Sequence, residues 1–220
     1  MTSSTPTQYR YSSQSLESLS SVISVERFGT YLRHASGDRR RAMRLYARNV
    51  ALGGAFHGPL QTLEVVLRNA VHDTLAARFN DRWFEDASLL EENEVRSVVR
   101  ATEKLEMPWT AGQVVAELNF GFWVALFARR YEERLWRTEL HLLFAPKQNR
   151  KELHNQLNRL RTLRNRIAHH EPIFQRDLAT DYKKILWILD MLSPEAAKWT
   201  DHHSRVYEVL DTNPSRITRF

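Results

Sequence analysis

Apolar residues recur every three to four positions through most of this chain, the spacing that gives a helix one buried face. Residues 1 to about 20 are the exception, rich in Ser, Thr and Gln, and read as a disordered tail or a segment ordered only by contacts. Ser24 suits the cap of a first helix carrying Val25, Phe28, Tyr31 and Leu32, closed at Ser36-Gly37. Asp38 caps the next, through Met43, Leu45, Tyr46 and Val50, with an interruption expected at Gly53-Gly54. Pro59 then suits a helix start, and Leu60, Leu63, Leu67, Val71 and Leu75 form the core stripe of a segment running to Phe79.

Residues 91–104 read as an amphipathic helix with Val95, Val98 and Val99 inward, broken at Met107-Pro108. Thr110 with Gln113 fits a capping box for a short helix over 114–118. An aromatic stretch follows, Asn119-Phe-Gly-Phe-Trp-Val-Ala-Leu-Phe127, and then a mixed-charge helix carrying Arg129, Arg130 and Arg134. Residues 148–170 form a long helix whose apolar seam reads Leu153, Leu157, Leu160, position 164, Ile167. A helix over 176–192 places Leu178, Tyr182, Ile185, Leu186 and Leu189 inward. Ser193-Pro194 begins another that holds Trp199, and a last one spans 201–210 before a basic tail, residues 213–220.

Seven glycines, seven prolines and few alternating β-branched runs make the expected fold class all-α. Hydrophobic residues are 42% of 220, enough for one sizeable domain, placed at 21–212. The absence of cysteine excludes disulfides and thiolate metal sites and fits a reducing cytoplasm. No basic segment followed by an apolar run opens the chain, and the longest apolar runs, such as 122–128, are too short for a bilayer. A cytoplasmic protein with no membrane partner is the expectation. The net charge of +6 suits a polyanionic partner held by sequence-blind, salt-sensitive attraction. Arg39, Arg40, Arg41 and Arg44 crowd the start of one helix, either as a solvated face or as a phosphate-binding patch.

Position 164 in the long-helix seam is arginine, which keeps its charge and is costly in a core without anionic company. Asn165 and His169 share an adjoining face, and His169 lies about 140° around the helix from Arg164. Pro172 disfavours helix at Glu171 and ends the segment near His170, loosening the last turn. An inward arginine, an amide and two histidines at a helix end suit the handling of a phosphate. Glu64, Arg68 and His72 step by four along the edge of the 59–79 stripe. Two readings stand for that strip: a local Glu64–Arg68 ion pair, or a polar line that meets Arg164.

Arg164-Asn-Arg-Ile-Ala-His169 resembles the Arg-x4-6-His signature of HEPN ribonucleases, with the Asn that commonly follows the arginine. The twelve residues from Leu163 to Phe174, Leu-Arg-Asn-Arg-Ile-Ala-His-His-Glu-Pro-Ile-Phe, resemble the Abi-like (abortive infection) branch of that superfamily. Leu63-Glu-Val-Val-Leu-Arg-Asn-Ala70 resembles a second motif of that branch, Trp83-Phe84 its aromatic landing, and Phe120-Gly-Phe-Trp123 its aromatic element. Phe120, Phe122, Trp123 and Phe127 either fill a core or stack nucleobases.

No Gly-rich phosphate loop, GxSxG elbow, HExxH or dense carboxylate cluster occurs, so a metal-free mechanism without cofactor is preferred. RNA carries its own nucleophile, the 2′-hydroxyl, and needs only a base, an acid and a cation at the phosphorane. The resemblance implies a HEPN endoribonuclease toxin of phage defence or of a toxin–antitoxin pair. Arg164, Asn165 and His169 are then the catalytic set. His170, Glu171, Glu64, Arg68 and Asn69 support it, and Arg159, Arg161 and Arg166 bind RNA. A homodimer that unites two Arg/His sets is the implied assembly; the inhibitor is left open among an antitoxin protein, a companion noncoding RNA and nothing separate. The alternative is a non-catalytic HEPN-type module that binds RNA or protein.

Overall fold

The computed structural model describes residues 9–144 and 148–213. Among these every regular element is helical and none is a strand, so the fold is all-α. In chain order the helices are α1 (Ser13–Ile23), α2 (Val25–His34), α3 (Arg39–Arg78), α4 (Glu92–Thr102) and α5 (Ala111–Glu117). They continue with α6 (Phe120–Ala125), α7 (Arg150–Ala168), α8 (Leu178–Leu192), α9 (Pro194–His203) and α10 (Val206–Asp211). No helix among the described residues is long and apolar enough to cross a membrane.

The chain divides into two compact units. One comprises the described residues of Met1–Gly58, Asn165–Tyr182 and His203–Phe220; the other comprises Pro59–Arg164 and Lys183–His202. The boundaries at 58/59, 164/165 and 182/183 fall inside α3, α7 and α8, so each of these helices contributes residues to both units.

In the first unit, α1 forms over residues 13–20 of the expected tail, whose residues 1–8 lie outside the described residues. Leu16 is buried against Phe28, Tyr31, Ala35, Ala42 and Met43, while Tyr11, Leu19 and Ile23 pack around them. Ser12 accepts from the Ser15 amide and starts the helix. Three aliphatics spaced three and four apart were enough, once a surface existed to receive them. Ser24 and Asp38 cap α2 and α3 as expected, accepting from the Arg27 amide and from the Arg40 and Arg41 amides. Those two amides, the Arg41 one foremost, hold the Asp38 carboxyl below its ordinary value. Val25 points outward, because Phe28 and Tyr31 define the buried face of α2. The Tyr31 ring meets Tyr46 and Phe174 edge-on or tilted, at 5.2 and 5.4 Å between centroids. Burial pushes its hydroxyl up to about 12.

The expected interruption at Gly53-Gly54 and the helix start at Pro59 are both overturned: α3 runs unbroken for 40 residues. Ala51, Leu52, Ala55, Phe56, Leu60 and Leu63 are buried at helical spacing straight through the glycines, so burial outweighs the low propensity of Gly and Pro. At Gly53 the helix passes Ile167, whose Cγ2 would be in ordinary contact with an added Cβ at 3.7 Å.

In the second unit the aromatic stretch is core. Phe120, Phe122, Trp123 and Phe127 are buried, and the Trp123 indole donates to the Leu118 carbonyl at 3.2 Å. Thr110 and Gln113 form the expected capping box. α4 is rotated from the expected register. Val99 is exposed, and Glu94 is buried instead, accepting from Arg130 at 2.7 Å and from the Tyr131 hydroxyl at 2.6 Å. That tyrosine is pushed up to about 12, first by burial and then by the bond to Glu94. The mixed-charge stretch after Phe127 is a series of short helical turns from Arg129 to Leu143 rather than one helix. The expected last helix is divided, with α9 ending at His203 and α10 beginning at Val206. Of the expected basic tail, all but Asn213 lies outside the described residues.

The seam of α7 is Leu153, Leu157, Leu160 and Leu163, all fully buried. Arg164 therefore does not occupy the core register assigned to it; a step of three from Leu160 puts leucine inside and leaves the arginine at the edge. Leu163→Ala is expected to lower unfolding free energy by about 2–5 kcal/mol in urea titrations, from lost burial and the cavity left behind. Arg164→Ala is expected to cost less than about 1 kcal/mol, since its ion pair is open to solvent.

Candidate functional site

In the second unit, Arg164 Nε lies 3.6 Å from Glu64 Oε2, with 40% of the arginine side chain and 19% of the glutamate side chain exposed. Of the two readings of the 64–68–72 strip, the one that meets Arg164 holds. No ion pair joins Glu64 to Arg68 among the described residues. Arg68 is partly buried, and its Nε has no hydrogen-bond partner there. Asn69 is exposed, one position off the strip. His72 accepts from the Trp83 indole N–H at Nδ1, 3.1 Å away. Indole nitrogen only donates, so His72 Nδ1 is unprotonated and its remaining proton sits on Nε2.

Arg161, one turn before Arg164, is partly buried, and its Nε also lacks a partner. An added Cβ at Gly121 would lie 3.7 Å from Arg161 Cδ and Nη1 and 3.0 Å from Asn119 Oδ1, which caps α6. The arginine stem would meet such a Cβ only at ordinary contact distance; the tight approach at Gly121 is to Asn119 Oδ1. Further back on α7, His154 Nε2 and Asn158 Nδ2 are 2.8 Å apart. Burial, then the charges of Arg150, Arg130 and Arg161, hold the His154 imidazole below its ordinary value. Arg159 is exposed.

In the first unit the end of the motif is held by its backbone. The His170 amide donates to Ile167 O at 3.0 Å and the Glu171 amide to Arg166 O at 2.8 Å. His170 has φ 56°. Those bonds and that left-handed residue make a Schellman turn with His170 in the place usually taken by glycine. Beyond it the chain is pinned twice. Arg27 Nη1 donates to His170 O at 2.7 Å; Asn49, only 7% exposed, donates to Glu171 O at 3.3 Å and accepts from the Ile173 amide at 2.7 Å. The carboxylate of Glu171 pairs with Arg166 at 3.4 Å, not with Arg164. Asn165, His169 and His170 side chains are exposed.

Sequence reasoning did not find Arg27, Asn49 or the His72–Trp83 bond. Asn49 carried a signal: it is a polar residue on the stripe formed by Tyr46, Leu52 and Phe56. Arg27 carried none, because its partner is a carbonyl 143 positions away. No group of three or more His, Asp or Glu able to hold a metal ion occurs among the described residues. No protein-family model, curated protein or solved structure matches the chain.

Replacing His170 by glycine is expected to raise stability by about 1 kcal/mol, since glycine adopts positive φ without the Cβ penalty. Urea midpoints of the two proteins check it. A second expectation follows from His154, whose folded-state value is depressed. The unfolded chain then takes up its proton first as pH falls below about 6.5, so stability declines with acidification through that window. Comparing urea midpoints at neutral and mildly acidic pH, His154→Gln should show a smaller decline than the unaltered chain.

Proposed function

We propose that this protein is a metal-independent endoribonuclease of the HEPN type, and that it serves as an Abi-like toxin in phage defence or a toxin–antitoxin system. The observation that carries the proposal is the twelve-residue string from Leu163 to Phe174, together with a guanidinium at Arg164 that a carboxylate steadies yet leaves 40% exposed. The exposed face of that guanidinium can receive an incoming anion.

In this reading Arg164 grips the scissile phosphate, and Glu64 limits the rotamers it explores. His169 serves as general acid or base, and Asn165 orients the phosphate. One imidazole withdraws the proton from the 2′-hydroxyl as its oxygen bonds to phosphorus. A second protonates the departing 5′-oxygen as the P–O5′ bond breaks. One chain carries one Arg164/His169 set, so a homodimer is the assembly that supplies both roles. The turn held by Arg27 and Asn49 lowers the entropy of the backbone that bears His169, which favours a defined orientation. His170 and Glu171 have structural work in that turn, which makes them supporting residues.

Cleavage is expected to leave a 2′,3′-cyclic phosphate and a 5′-hydroxyl and to proceed in EDTA. RNA with a 2′-deoxy residue at the scissile position should bind without being cut. His169→Ala should abolish cutting, a loss of at least about 10²-fold, and keep most binding. Product ends read by mass spectrometry check the chemistry. A 5′-phosphate product, or a need for a divalent ion, would falsify the mechanism.

A further inference from the structure

Two partly buried guanidinium groups of the second unit stand without an anion among the described residues. Arg68 and Arg161 each bury Nε with no hydrogen-bond partner, and neither pairs with a carboxylate among the described residues. A guanidinium cannot lose its proton to escape that position, and a buried N–H left unmatched is costly. Every other buried Nε noted in this unit belongs to Arg150, whose two terminal nitrogens reach Phe127 O at 2.7 Å and Glu132 at 3.3 Å.

Arg68 and Arg161 each lie one helical turn from a member of the Glu64–Arg164 pair. Glu64 on α3 meets Arg164 on α7. Two turns further along α3, His72 is bonded to Trp83, whose ring lies 6.4 Å from that of Phe122. The neighbour of Phe122, Gly121, is packed against the stem of Arg161. Moving from 64 to 72 on α3 and from 164 to 161 on α7 therefore leads toward the same aromatic wall, so the two stretches run in opposite senses. Arg68 and Arg161 fall between the Glu64–Arg164 pair at one end and the Trp83/Phe122 contact at the other. His72 adds a donor at the far end: with Nδ1 engaged by Trp83, its proton is on Nε2.

We propose that Arg68, Arg161 and the Nε2–H of His72 form a seat for a phosphodiester of single-stranded nucleic acid, separate from the one gripped by Arg164. Two guanidiniums offer paired N–H groups to the non-bridging oxygens, and a neutral imidazole donor completes the ring without adding charge that Glu64 would have to balance. Arg164, with its carboxylate partner, supplies no net charge; Arg68 and Arg161 supply two. Under the proposed ribonuclease activity, this seat holds a phosphate next to the scissile one and sets the register of the strand. The seat itself is tested without cleavage, so its failure and the failure of that activity are separable.

The experiment uses the full chain with an all-2′-deoxy oligonucleotide, which cannot be cut through a 2′-hydroxyl. Arginine Nε–H signals are followed by NMR as inorganic phosphate is added, and oligonucleotide affinity is measured against salt. The Arg68 and Arg161 signals should shift saturably. Arg68→Gln and Arg161→Gln should each weaken the oligonucleotide about tenfold and lower the salt slope by about one. Arg161→Lys should keep the slope yet lose affinity, because an ammonium cannot present two N–H groups in a plane. The proposal is overturned if phosphate leaves both signals unmoved. It is equally overturned if either glutamine variant binds with unaltered affinity and slope, even when inorganic phosphate binds.

Discussion

Leu153, Leu157, Leu160 and Leu163 are each fully buried on α7, and each contributes about 1.5–3 kcal/mol by leaving water. That sum decides how α7 is rotated about its axis. Once the leucines face inward, Arg161 and Arg164 fall on the border between core and solvent, where a stem can be buried while the charge stays partly wet. The chemistry of the helix is a consequence of this rotation. A register one residue different would sink Arg164 into the core at a cost no single carboxylate offsets.

The same rule governs the partners. Glu64 lies beside Leu63 and Leu67 as Arg164 lies beside Leu163, so each charge sits at the rim of a buried leucine pair. Border charges of opposite sign meet there. Border charges of like sign, Arg68 and Arg161, have no carboxylate partner among the described residues, and the proposed anion seat rests on that imbalance. Glu94 offers the contrast: deeper in, it receives both Arg130 and the Tyr131 hydroxyl, so its charge is answered within the protein.

In the first unit the controlling constraint is backbone geometry rather than charge. Pro172 cannot extend α7, and the chain turns through a left-handed His170 into a strip pinned by Arg27 and Asn49. A buried amide with both its donor and its acceptor satisfied by the peptide backbone makes a stiff bracket. The positions carrying His169 and His170 inherit that stiffness while their side chains remain in water.

The helical class, the caps at Ser24, Asp38 and Thr110, the end of α7 before Pro172 and the core role of the aromatic stretch were all legible along the chain, because each depends on neighbours within about four residues. So was the pairing of the Glu64 strip with Arg164, since both are charged positions on the edge of apolar faces. What the chain alone left undetermined were rotations and continuities settled by distant partners. Leu163 rather than Arg164 faces inward, Glu94 rather than Val99 is buried, α3 passes through Gly53-Gly54 and Pro59, and α1 forms where a tail was expected. In each case local preference differs between the alternatives by about 1 kcal/mol or less per residue, apart from the larger penalty at Pro59. Burial against residues tens of positions away supplies several times that, and only the tertiary structure says where such burial is available.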